Sequence, residues 1–102
     1  MIKITVICGG GYSSSMLVSE MRKAADADNL EIQIRASCES KLYLYEEDTN
    51  ILLIGPQVQY LENNLKEKYE KQGIKVMVIN SMDYGLMNGR KVLKDALKEY
   101  NN

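Results

Sequence analysis

Apolar positions along this chain repeat at two spacings, near two residues and near three and a half, and the switches between them mark out its elements. Ile4 to Ile7 carries too little polar interruption for a half-exposed strand, so it is predicted as a central strand covered on both faces. Met16, Leu17, Met21, Ala24 and Ala25 then recur at helical spacing, with Glu20, Arg22 and Lys23 between them, which predicts a helix running to Ala27. Asp26 to Asn29 breaks that pattern. Glu31-Ile32-Gln33-Ile34-Arg35-Ala36 alternates strictly, as a strand with one less buried face does at a sheet edge. Ser37 to Ser40 reads as a turn with a cap at Ser40, followed by a short helix from Lys41 to Glu46 carrying Leu42, Tyr43 and Tyr45. Ile51-Leu52-Leu53-Ile54 is a second wholly apolar strand. Pro56 ends its ladder and suits a helix start, and Tyr60, Leu61, Leu65 and Tyr69 draw an apolar stripe down to Gln72-Gly73. Ile74 to Ile79 is the fourth strand and Asn80 to Gly85 its exit loop. Asn88 to Tyr100 is the closing helix, with Val92, Leu93, Ala96 and Leu97 inward.

Strand and helix alternate four times, the pattern of a three-layer α/β domain with a four-stranded parallel sheet and right-handed crossovers. A doubly wound sheet of order 2-1-3-4 reverses its winding beside the first strand and gathers the loops after Cys8, Ile54 and Ile79 at one edge. One core fits 102 residues, so residues 1–102 are expected to form a single domain.

The first of those loops carries the chemistry. Cys8 ends a central strand and is followed by Gly9, Gly10, Gly11, Tyr12, Ser13, Ser14 and Ser15, after which a helix begins. Glycines let the backbone turn its N–H groups inward, a helix N-terminus adds positive field, and Ser14 or Ser15 can cap the helix. That is a phosphate loop of the phosphatase-like kind. A thiol in such a field loses its proton readily, with pKa values falling to roughly 3.5–7.5, and Cys8 is the candidate nucleophile. A phosphocysteine formed there places its oxygens in the amide ring, with the Ser13 and Ser15 hydroxyls as further donors. Cys38 stands in no such cradle and reads as a half-buried thiol after a strand.

Charge and composition narrow the rest. Thirteen basic against 14 acidic residues give net −1, with no basic face advertising nucleic acid or a membrane surface. Two cysteines thirty residues apart and no histidine make neither a zinc motif nor a disulfide framework, so no metal and no cofactor are expected. No stretch approaches the roughly 18 apolar residues of a membrane span, and the reading is a cytoplasmic protein not inserted in the membrane. The glycine spacing of a dinucleotide fingerprint and the Gly-Lys-Ser/Thr of a nucleotide loop are both missing. A thiol phosphatase of the small tyrosine-phosphatase type places an arginine six residues after its cysteine. Here that residue is Ser14, and the clamp for hydrolysis is lost.

Three motifs, all at strand exits, resemble one family, the IIB component of the bacterial phosphoenolpyruvate-dependent sugar phosphotransferase system of lactose/cellobiose (diacetylchitobiose) type. Its Cys-x-x-Gly-x-Ser-x-Ser is matched by Cys8, Gly11, Ser13 and Ser15, and its Gly-Pro-Gln-Val-x-Tyr by Gly55 to Tyr60. Its Asp-Tyr-Gly-x-x-Asn-Gly-x-x-Val-Leu is matched by Asp83, Tyr84, Gly85, Asn88, Gly89, Val92 and Leu93. The chain departs from it with Gly9-Gly10 where Ser-Ala is frequent and with Tyr12 in place of a methionine.

The resemblance implies that Cys8 takes a phosphoryl group from a phosphohistidine on a IIA partner and passes it to a sugar held by the membrane permease IIC. Gln57, Tyr60, Asp83 and Tyr84 are candidates to border the site, and serve equally well as loop caps and core anchors. Two other readings stay open. One is a thiol-dependent phosphatase or reductase; the other is a non-catalytic regulatory domain that displays a phosphorylatable cysteine.

Overall fold

The computed structural model of the chain describes residues 1–9 and 12–101, without the side chains of Tyr12 and Ser13. Its four strands, β1 (Ile2–Ile7), β2 (Ile32–Ser37), β3 (Ile51–Ile54) and β4 (Lys75–Val78), form one sheet of order β2-β1-β3-β4. Every pair is parallel. The expected order and winding therefore hold, and β2, the strand with the alternating sequence, is an edge.

Alternation along the strands divides the core in two. On one face α1 (Tyr12–Ala27) and α4 (Gly89–Tyr100) bring Leu17, Met21, Val92, Leu93 and Ala96 against Ile4, Val6 and Leu53. On the other, a 3₁₀ segment (Glu39–Asp48), a second one (Pro56–Leu61) and α2 (Glu62–Tyr69) bring Leu42, Val58, Leu65 and Tyr69 against Ile7, Leu52, Ile54 and Val76. A short 3₁₀ turn (Glu70–Gln72) ends on Gly73, whose φ of 85° is the left-handed conformation that closes a helix at a glycine.

Polar groups fix the sheet at its entry end. The Asn50 side chain accepts from the Lys3 amide at 2.8 Å, while the Asn50 amide donates to the Lys3 carbonyl at 2.7 Å. The buried Thr5 and Thr49 hydroxyls lie 2.8 Å apart. Asp48 pairs with both Lys3 and Arg35. On the β2 edge, the Arg22 guanidinium of α1 donates to the Ile34 carbonyl through Nε at 2.9 Å and Nη2 at 2.5 Å.

Four expectations are corrected. Met16 is 61% exposed, because the buried stripe of α1 runs through Leu17, Val18, Met21 and Ala24. Tyr60 is 75% exposed rather than on the helical stripe. It lies in the 3₁₀ segment, whose three-residue turn carries it out of phase with Leu65 and Tyr69. Ser40 caps nothing: the 3₁₀ segment starts earlier, at Glu39, with Cys38 before it and no side-chain cap. The exit loop at Asn80 to Gly85 is a helix, α3 (Ser81–Gly85), capped by the Asn80 side chain, which accepts from the amides of Met82 and Asp83.

Candidate functional site

The register of the sheet decides what stands beside Cys8. Ile7 pairs with Ser37 of β2 on one side and with Ile54 of β3 on the other, so Cys8 emerges between the exits of both neighbours. It is 2% exposed. Ile4 and Val6 face α1 and α4 while Ile7 faces away, and the alternation turns Cys8 to the α1 side.

That helix begins at Tyr12, two residues before the expected cap at Ser14, so Ser14 and Ser15 belong to its first turn and neither stands outside it as a cap. Ser14 is fully buried and Ser15 is exposed. A helix already formed at Tyr12 offers the first-turn N–H groups at the strand exit, and no carboxylate in that turn competes for them. Gly10, Gly11 and the side chains of Tyr12 and Ser13, which carry part of the expected cradle, lie outside the described residues.

The opposite wall is the exit of β3. The Gly55 amide donates to the Ile7 carbonyl at 2.7 Å. A Cβ built on Gly55 would lie 3.2 Å from the Cys8 Cβ, 3.1 Å from the Ile7 carbonyl oxygen and 2.8 Å from Gln57 Oε1. With φ −62°, Gly55 is in ordinary backbone, so what the glycine supplies here is room for β3 to close on the thiol-bearing residue. Gln57 folds its side-chain oxygen over that glycine and so borders Cys8 through it. Buried Val58 stands 3.5 Å from where a Gly9 side chain would begin. Sequence reasoning used Gly55 only as part of a motif and missed its contact; the available signal was a glycine at the matching position of the strand next to Cys8.

The other border candidates differ in their surroundings. Tyr84 is a buried member of the α1–α4 core cluster. Asp83 turns its carboxylate toward α4, 3.6 Å from Lys91 Nζ, which also binds Asp95 at 2.6 Å. Asp95 holds the Lys91 ammonium above its usual pKa, with Asp83 adding to the effect. Tyr60 lies on the 3₁₀ segment beyond Gly55 with its ring in solvent.

Between α1 and the exit of β2 runs an open groove of about 310 Å³, lined by Ser14, Ser15, Ala36, Ser37, Cys38, Lys41 and Tyr45. Cys38 has extended backbone, and its Sγ lies 3.3 Å from the Ser40 hydroxyl. The Ser40 hydrogen bond, helped by the Lys41 amide and charge, holds this thiol below its ordinary pKa against the opposing effect of burial. Among the described residues no cluster of His, Cys, Asp and Glu could hold a metal ion, and no helix is long and apolar enough to cross a membrane.

The family described as "PTS system, Lactose/Cellobiose specific IIB subunit" matches residues 3–95. The oligo-beta-mannoside-specific EIIB component of Bacillus subtilis is 34% identical over 97 residues, covering 95% of this chain and 94% of the relative. The solution structure of the cellobiose-specific IIB component of Borrelia burgdorferi is 37% identical with TM-score 0.81, over 99% of this chain and 93% of the other. A lactose-specific EIICB component of Lacticaseibacillus casei is 24% identical over 83 residues, 81% of this chain but 14% of that longer protein. A YwlE mutant from Bacillus subtilis, 11% identical with TM-score 0.63 over the full length of both chains, shares the fold alone.

Proposed function

The chain belongs to the lactose/cellobiose-specific IIB family of the sugar phosphotransferase system, and on that premise we propose that Cys8 is its phosphoryl carrier. The observation that carries this assignment is the position of Cys8, buried between the Gly55 wall and the first turn of α1. In the forward step the Cys8 sulfur attacks phosphorus, the phosphorus–nitrogen bond to a histidine of IIA breaks, and the imidazole takes the electron pair. In the second step a sugar hydroxyl attacks the same phosphorus, the phosphorus–sulfur bond breaks with its electron pair on sulfur, and the hydroxyl proton passes to the leaving thiolate or to water. First-turn amides of α1 and the Ser15 hydroxyl supply donors to the phosphoryl oxygens in both steps.

Transfer is favoured over hydrolysis because the residue six positions after Cys8 is Ser14, fully buried, and the chain holds no histidine to activate water. The membrane partner is IIC, to which the casei relative's name joins the B component in one chain. Exposed Met16, Tyr60, Met82 and Leu86 follow strand exits or open α1, and give IIA and IIC an apolar surface to meet in turn in the cytoplasm. Intact-mass analysis after incubation with phosphoenolpyruvate, the general phosphotransferase proteins and a IIA tests the assignment. One phosphoryl group is expected on wild type and on Cys38→Ser, and none on Cys8→Ser. The isolated phosphoprotein is expected to decay slowly in water and fast when unphosphorylated IIA is added. Cys8-dependent turnover of aryl phosphates would support the phosphatase reading instead.

A further inference from the structure

The two thiols of the chain occupy equivalent places on neighbouring strands. Ile7 of β1 and Ser37 of β2 are the last register pair, so Cys8 and Cys38 each stand one residue beyond it. Parallel neighbours lie about 4.8 Å apart, inside the roughly 4.4–6.8 Å that a disulfide spans between Cα atoms. Strand alternation, continued one residue past each exit, carries both to one side of the sheet. Ile34 and Ala36 pack with the α1–α4 cluster, as Ile4 and Val6 do, and the alternation carries Cys38 to the side taken by Cys8. Cys38 lines the groove that also touches Ser14 and Ser15 of α1 and Lys41 and Tyr45 of the 3₁₀ segment.

We propose that Cys38 is a resolving thiol for Cys8, closing a reversible Cys8–Cys38 disulfide when the protein meets a peroxide. The thiolate of Cys8 attacks one peroxide oxygen; a sulfur–oxygen bond forms, the oxygen–oxygen bond breaks and hydroxide leaves, giving a sulfenic acid. The Cys38 thiolate then attacks the Cys8 sulfur. A sulfur–sulfur bond forms, the sulfur–oxygen bond breaks, and the oxygen departs as water with one added proton. Two electrons pass from the thiol pair to the peroxide. Cys38 suits the second step, since its half-exposed thiol is held toward the thiolate by Ser40 and Lys41. The disulfide occupies the sulfur that would carry phosphate and shields it from the irreversible sulfinic state. Only this last consequence rests on Cys8 being the carrier; the bond itself does not.

The test treats reduced protein with limiting hydrogen peroxide and follows intact mass, tryptic peptides and phosphorylation from IIA. Wild type is expected to lose two hydrogens, to yield a Cys8–Cys38 linked peptide, to stop accepting phosphate and to recover in full with dithiothreitol. Cys38→Ser, which accepts phosphate as wild type does while reduced, is expected to gain oxygen at Cys8 and not to recover. Cys38→Ala serves if the serine variant fails to fold. Oxygen gain at Cys8 in wild type at the variant's rate, or a disulfide between two chains in place of the internal one, would overturn the proposal. A linked peptide from protein that is never phosphorylated when reduced would sink the carrier assignment and leave the thiol pair standing.

Discussion

Gly55→Ala isolates the contact between the two central strand exits. The added methyl would meet three atoms: Gln57 Oε1 at 2.8 Å, the Ile7 carbonyl oxygen at 3.1 Å and the Cys8 Cβ at 3.2 Å. The glutamine tip can swing away, so it costs little. The other two are strand backbone and the Cys8 β-carbon, and each must yield by a few tenths of an ångström. Overpacking a core costs about 1–3 kcal/mol, and so small a displacement belongs at the low end, about 1 kcal/mol. For a domain of this size that is a fall in Tm of roughly 4–8 °C. The effect on chemistry follows from the same shift: a 1 Å misplacement costs about 10²-fold, so a few tenths should slow phosphorylation roughly fourfold to tenfold. Thermal unfolding gives the first quantity and single-turnover phosphorylation from IIA, followed by intact mass, gives the second. A lower Tm with an unchanged rate would refute the claim that Gly55 positions Cys8, and no change in either would refute the packing itself.

Gly89→Ala is the matching control away from the site. Its Cβ would fall 2.5 Å from backbone atoms of both Glu20 and Met21, so α1 and α4 must separate; the expected loss is about 3 kcal/mol by chemical denaturation, with the phosphorylation rate of the folded fraction unchanged. Asp48 governs an acid response. Lys3 first and Arg35 second hold its carboxyl below the usual value, so the stability it contributes is present above the unfolded pKa of about 4 and is lost as pH falls through the lower folded one. Asp48→Asn should therefore be less stable than wild type near neutrality and converge with it in acid, as urea midpoints across that range will report.

The sheet was legible because Ile51–Ile54 is wholly apolar and Ile4–Ile7 is interrupted only by Thr5, while β2 alternates. That contrast places the edge and, with right-handed crossovers, the order. Helix phase was legible only where the helix was regular. Tyr60 was misplaced since Pro56–Leu61 turns with a shorter period than the α-helix that follows it. The five residues of α3 are too few to show any period, and their start lies in the Asn80 cap instead. At the site, Cys8 and the helix after it could be read from residue order. The close approach of Gly55 to Cys8 and the alignment of the β1 and β2 exits could not, because both arise from register between segments far apart in the chain.

The Arg22 bond to Ile34 has a consequence for the protein's behaviour at high concentration. An edge strand left bare is a template on which a second chain can lay its own backbone, and a parallel sheet of four strands has two such margins. Arg22 engages a β2 carbonyl twice over with a group that is charged and bulky, so an incoming strand would have to displace a cation before it could add. Replacing it would leave the molecule's interior intact and its colloidal behaviour altered, with ordered self-association through β2 as the route.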